Sequence, residues 1–307
     1  NSSMISINTP ATVELSGKLP AKADAVAVLL HKQTSPTHAA IRSLPESVRQ
    51  PASRLHETGL AKGKSNELTT SLLDDGRRLL LIGLGDRDQF SLECLREAGA
   101  TIARAARSQK LGAVAIIVPP VPAKLPGLPG KTPAGPANEL AIEALSTGLI
   151  IGSFRFDEFR GSAAKNDQDP KPTRFTLVVN DPNEVRDALR RGIAISEGQN
   201  FARTVASRPG NVINPPTLAR LAQQAARELK LECKVLDDRE MKRLGMGGIL
   251  AVGAGSSATP PRMIVLRHKG AKARKAPPLL IVGKAITFDT GGISIKPAEK
   301  MGRMIYD

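Results

Sequence analysis

Four charged side chains with the chemistry of a metal-assisted catalyst occur within one short stretch of this sequence. They are Lys284, Asp289, Lys296 and Asp307, and Gly291-Gly292 lies among them. Carboxylates are hard oxygen ligands, so two of them can share or flank divalent cations such as Zn²⁺, Mn²⁺ or Mg²⁺. A lysine amine becomes a metal ligand only if burial beside a cation keeps it neutral. On spacing alone a metal site and an ordinary salt-bridged surface both stay open, and the surface is the commoner case.

The helices and strands predicted around these residues follow an α/β pattern. The run Pro278–Val282 is predicted to be a strand that delivers Lys284 at its carboxyl end, where open α/β sheets build their sites. Thr217 is predicted to be the N-cap of an amphipathic helix. The remaining elements predicted before the site are helices over 183–205, 218–229 and 238–244, and strands over 231–236 and 262–267.

The first half of the chain contains continuous apolar runs, which are typical of strands covered on both faces. These runs occupy residues 25–30, 79–83 and 113–118. A helical stripe over 92–108 joins the last two into a βαβ unit. Residues 119–136 contain seven prolines and are predicted to form a loop. A helix over 137–151 and a strand over 175–179 follow.

Length and composition predict a folded protein of two domains. The chain has 307 residues, 41% of them hydrophobic and 24% charged. We place the boundary after residue 182, which gives an N-terminal α/β domain over 1–182 and a second domain over 183–307. Cys94 and Cys233 form no metal-binding or disulfide pattern, and no apolar run approaches the length of a membrane span. We therefore expect a cytoplasmic protein without a membrane partner.

The exact sequence of the segment that contains these residues is more informative than their spacing alone. Residues 282–297 read VGKAITFDTGGISIKP, and Met304–Asp307 follow. Together with Asn214–Pro216, Met246–Gly253 and Pro260–Arg262, this run closely resembles the leucyl aminopeptidase (cytosol aminopeptidase) family. The resemblance covers 183–307 well and 1–182 more loosely. It implies a macro-like N-terminal α/β domain followed by the first part of a two-metal exopeptidase domain.

The resemblance also implies a role for each candidate residue. Lys284 would bind the tighter of two metals through its neutral amine, Asp289 would bridge both metals, and Asp307 would complete the tighter site. Lys296 would polarise the scissile carbonyl and stabilise the oxyanion. All four would contact a peptide substrate. Two Mn²⁺ or Zn²⁺ ions would activate a water and hold the free amino terminus, and the family forms homohexamers.

Some of the family's features are absent from this sequence. Ala285, Thr290 and Ile305 replace the residues usual in the family. The family's downstream string Asn-Thr-Asp-Ala-Glu-Gly-Arg, which supplies further ligands and an arginine that holds bicarbonate, does not occur. We therefore expect the chain to be a fragment that is inactive alone, while the full-length protein releases amino-terminal residues, often leucine.

Two other functional classes stay open. The net charge of +15 and pI near 10.2 motivate a nucleic-acid-binding relative, although the basic residues are scattered and aromatic stacking residues make up only 3%. A catalytically incomplete pseudoenzyme is the other alternative. Salt-dependent retention on DNA would support the first of these hypotheses.

Overall fold

The structure is a computed structural model that describes residues 10–32, 39–42, 44–119, 139–161, 172–270 and 277–306. These residues form two compact units, one within 8–200 and the other beginning at residue 201. We call them the N-terminal unit and the C-terminal unit. The division falls inside one long helix, and a domain boundary after residue 182 stays a prediction.

A six-stranded mixed sheet forms the centre of the N-terminal unit. Its strand order is β1-β6-β5-β2-β4-β3, in which β3 is antiparallel to β4 and the other neighbours are parallel. The α/β prediction is therefore confirmed. The elements are β1 (Ala11–Ser16), β2 (Ala25–Leu30), α1 (Ala39–Arg42), α2 (Glu46–Glu57), β3 (Leu68–Leu72), β4 (Arg78–Gly83), α3 (Leu92–Ser108), β5 (Ala113–Ile117), α4 (Glu139–Gly152), β6 (Thr173–Val178) and the start of α5 (Arg186–Ser207).

Every side chain of β2 is buried because the sheet is covered on both faces. Ala25, Ala27 and Leu29 belong to the core cluster that includes α3 and α4, whereas the alternating residues Val26 and Val28 belong to the cluster that includes α2. A strand between two apolar layers needs no polar face, which explains its continuous hydrophobic run.

The C-terminal unit contains a small antiparallel pair of strands against which α6 packs. Its elements after α5 are α6 (Pro215–Leu229), β7 (Glu232–Leu236), α7 (Asp238–Arg243), α8 (Gly247–Gly253), β8 (Met263–Arg267) and a 3-10 helix over Met301–Tyr306. Helix α6 packs against both strands and α7 contacts β7, yet most side chains of β8 are exposed.

The N-cap of α6 is Asn214, so the prediction of Thr217 as the cap was wrong. The Asn214 side chain accepts a hydrogen bond from the Thr217 backbone N–H, and the Thr217 hydroxyl accepts one from the Asn214 N–H. This reciprocal pair is a capping box, with Thr217 at its third helical position. Pro215 and Pro216 fit the first turn because their missing N–H groups would find no partner there.

The predicted strand Pro278–Val282 is not formed. The segment from residue 277 to residue 290 pairs with no strand in the described parts of the chain. The side chains of Leu279, Leu280, Ile281 and Val282 are 82–88% exposed. An apolar run becomes a strand only where a neighbour supplies backbone partners and a covering layer. The expectation that a strand end delivers Lys284 was therefore wrong as well.

The longest predicted helices are confirmed, and several short elements were missed. Helix α3 has the predicted bounds, and α4 and α5 lie close to theirs. The missed elements include β1, β3, α1, α2, α8 and the 3-10 helix over Met301–Tyr306. The proline-rich loop prediction falls almost wholly on residues outside the described ranges. Among the helices that the structure describes, none is both long and apolar enough to cross a membrane.

Candidate active site

A tight turn brings two of the predicted site residues together. The Gly291 N–H donates to Asp289 Oδ1 over 2.7 Å, and the Lys296 backbone N–H donates to the Thr290 carbonyl over 2.9 Å. We call residues 289–296 the site loop. Because both hydrogen bonds close back on the start of the segment, the loop presents Asp289 and Lys296 on one side of a compact turn.

The side chains of Asp289 and Lys296 form an ion pair. Lys296 Nζ lies 3.3 Å from Asp289 Oδ2, and the two side chains are 23% and 50% exposed for Lys296 and Asp289 respectively. A pair with this much water access contributes little to stability, typically about 0–1 kcal/mol. Its significance is geometric, because it places an ammonium beside a carboxylate that has one oxygen held by the backbone.

The site loop needs a glycine at position 291. Its φ is +97°, and a Cβ there would lie 2.2 Å from the Ser294 carbonyl oxygen. Gly292 also has a positive φ, +65°, but a Cβ there would meet open space. The two glycines are therefore adjacent in sequence but differ in what a methyl group would encounter.

Replacing Gly291 by alanine is expected to open the site loop. The methyl group cannot fit against the Ser294 carbonyl, so the hydrogen bonds that close the turn should weaken by a total of about 1–3 kcal/mol. Hydrogen–deuterium exchange at the Lys296 amide measures this effect. Gly292→Ala, which adds a methyl group in open space, is the matched comparison and should accelerate exchange less. Equal exchange rates in the two variants would show that the clash is not what shapes the loop.

Lys284, which precedes the site loop in sequence, lines a cleft of about 360 Å³. The described charged residues that line it, Arg208 and Lys284, are both cationic. Among the other lining residues Thr287 alone has a polar side chain, and the rest are Phe201, Ala202, Val205, Ala206, Gly210, Ile213, Leu218, Ala285, Ile286 and Phe288. On α5, burial lowers the pKa of the Arg203 guanidinium from its ordinary value. It nevertheless stays charged at neutral pH, because an arginine pKa is so high.

The predicted metal ligands are only partly described. Asp289 and Lys284 are placed as stated above, and Asp307 lies outside the described residues. Within the described ranges, no three His, Cys, Asp or Glu side chains gather as a metal site. Asp289 has one oxygen oriented by the Gly291 N–H, and its other oxygen faces the Lys296 ammonium. A carboxylate oriented in this way nevertheless fits a ligand of a divalent metal.

The sequence prediction missed the residues that hold the site loop from beneath. The Phe288 ring lies under Lys296, with Nζ 5.9 Å from the ring centroid. A Cβ at Gly210 would lie 3.4 Å from Phe288 Cβ, so Phe288 packs directly over this glycine. The sequence signal for this role was the aromatic residue immediately before Asp289, in a chain with only seven phenylalanines.

Family models match both parts of the chain. The model described as the cytosol aminopeptidase family, catalytic domain, matches residues 200–307, and that of the same family's N-terminal domain matches residues 26–163.

Curated relatives also belong to the cytosol aminopeptidases. A probable cytosol aminopeptidase of Roseiflexus castenholzii is 36% identical over 85% of this chain and 52% of its own length. The corresponding protein of Aquifex aeolicus is 32% identical over 86% and 50%. The chain thus spans about half the length of the curated relatives it matches. The relatives named here give no support to the nucleic-acid-binding alternative.

Solved structures share the fold. The bottromycin maturation enzyme BotP is 25% identical with a TM-score of 0.65, and the match covers 90% of this chain and 52% of the BotP chain. A mutant of tomato leucine aminopeptidase has a TM-score of 0.66 and 21% identity, with 83% and 50% covered. At the latter identity the likeness shows the fold alone.

Proposed function

The chain belongs to the cytosol aminopeptidase family, and we therefore propose that the full-length protein is a metal-dependent aminopeptidase. It would release amino-terminal residues, often leucine, from peptides. The observation that carries the proposal is the site loop, in which a backbone-held carboxylate and an ammonium lie 3.3 Å apart. An exopeptidase of this kind needs a carboxylate to hold a cation and a positive group to stabilise the developing oxyanion.

Each predicted site residue has a distinct task in this proposal. Lys284, Asp289 and Asp307 would hold two divalent ions, Mn²⁺ or Zn²⁺, which when bound supply an activated water and a Lewis acid. The Gly291 N–H orients Asp289 by fixing one of its oxygens. Lys296 would bind the scissile carbonyl as the catalytic residue, since its ammonium already lies at the site loop.

The remaining expectations concern the whole protein. We propose that it acts in the cytoplasm on peptide substrates and assembles as a homohexamer. Bicarbonate would be a further cofactor of the full-length enzyme, because the family's downstream segment holds it. Because this chain spans about half the length of the relatives it matches, these properties are proposed for the full-length protein.

The proposal is tested with the full-length protein and a matched pair of anilides. Leucine anilide with a free amino group should be hydrolysed, whereas its N-acetyl derivative should not, because the proposed site binds a free amine. Prior treatment with a chelator should abolish hydrolysis, and Mn²⁺ or Zn²⁺ should restore it. Hydrolysis of the acetylated anilide, or no hydrolysis with either metal supplied, would refute the proposal.

A further inference from the structure

Phe288 provides the surface on which the Lys296 side chain lies. Lys296 Nζ is 5.9 Å from the Phe288 ring centroid, within the range at which an ammonium is attracted by the negative face of an aromatic ring. The Lys296 side chain is 23% exposed. It is therefore confined between the ring of Phe288 and the carboxylate of Asp289, which restrains a side chain with many rotamers.

Phe288 also packs against Gly210. A Cβ at position 210 would lie 3.4 Å from both Phe288 Cβ and Phe288 Cδ1. An added methyl group would just be in contact, and a larger side chain would displace the ring. Gly210 lies in the connection between α5 and α6. This connection therefore limits where the Phe288 ring can lie relative to the site loop.

We propose that Phe288 is a positioning residue for Lys296, seated on Gly210, so that the ammonium is held where a substrate carbonyl would meet it. The inference rests on the proposed function of Lys296, but the contact itself does not depend on catalysis. A carboxylate alone leaves the ammonium free to rotate about the ion pair. The aromatic face adds a second contact and so selects one orientation.

The first test separates positioning from general structural support. In the full-length protein, Phe288→Leu keeps apolar bulk but removes the ring, and is expected to lower kcat about two- to fivefold with little change in KM. Phe288→Tyr keeps the ring and should retain kcat. In a Lys296→Met background, Phe288→Leu should cause no further loss, because the side chain it positions is gone. An equal loss in both backgrounds would overturn the proposal.

The second test does not require activity. Limited acylation of lysines in the full-length protein, followed by mass spectrometry, measures how accessible each amine is. Phe288→Leu should increase acylation of Lys296 about two- to fivefold, Phe288→Tyr should not, and Lys300, whose side chain is 65% exposed, serves as the internal control. Gly210→Val should imitate Phe288→Leu, and Gly210→Ala should have a smaller effect.

The two tests distinguish the possible failures. If the protein hydrolyses no aminoacyl anilide but shows the predicted acylation pattern, the proposed function is refuted and the contact between Phe288 and Lys296 is supported. If acylation of Lys296 is the same in the wild type and in Phe288→Leu, the positioning role is wrong whatever the activity.

Discussion

Asp289→Asn in the full-length protein is expected to lower kcat/KM for leucine anilide by at least about a hundredfold, or about 2.7 kcal/mol. Asparagine has nearly the same shape, and its amide oxygen can still accept the Gly291 N–H, so the turn should persist. The negative charge that would hold a cation and pair with Lys296 is lost. The variant should therefore fold normally and bind metal more weakly, which elemental analysis of the purified protein measures.

The control for this substitution lies in the same part of the chain. Glu299→Gln removes one negative charge from a side chain that is 81% exposed and pairs only with its neighbour Lys300 among the contacts described for it. It should leave both kcat/KM and metal content unchanged within about twofold, because exposed ion pairs contribute little. If both variants lose activity equally, the effect is one of net charge and Asp289 is not a ligand.

Gly148→Ala is expected to destabilise the N-terminal unit by about 3 kcal/mol, at the upper end of the usual cost of overpacking. Helices α3 and α4 pack so closely that a Cβ at Gly148 would lie 2.0 Å from the Arg96 carbonyl oxygen. The neighbouring contact at Gly99 is similar, with a Cβ only 2.8 Å from the Leu145 carbonyl oxygen. Since these obstacles are backbone atoms, no rotamer change relieves them, and the helices must separate.

Urea unfolding followed by circular dichroism measures this loss, and Gly198→Ala is the matched control. Gly198 lies within α5, is exposed, and a Cβ there would meet nothing within 4 Å. Alanine at this position should be neutral or stabilise the protein by about 0.5–1 kcal/mol, because glycine is unfavourable inside a helix. Equal midpoints for the two variants would contradict the close-packing explanation.

The sequence predicted best the elements whose partners lie nearby or whose burial is complete. Strands β2, β4 and β5 were recognisable because both faces are covered, which leaves a continuous apolar run. Strand β3 was missed because it lies at the sheet edge with alternating exposure. At the start of α6, Asn214 and Thr217 each accept a hydrogen bond from the other's backbone N–H, and only these hydrogen bonds show which residue is the N-cap.

Residue types and sequence motifs were enough to identify the family, the α/β class and the candidate site residues Lys284, Asp289, Lys296 and Asp307. Only the folded structure shows which of these residues meet: Lys296 pairs with Asp289, and the Lys296 ammonium lies over the ring of Phe288. It also decided that residues 278–282 form no strand among the described residues. Single residues carry the side-chain chemistry, but the contact between Lys296 and Asp289 depends on how the backbone turns between them. In the same way, an apolar run forms a strand only where a neighbouring strand supplies backbone partners.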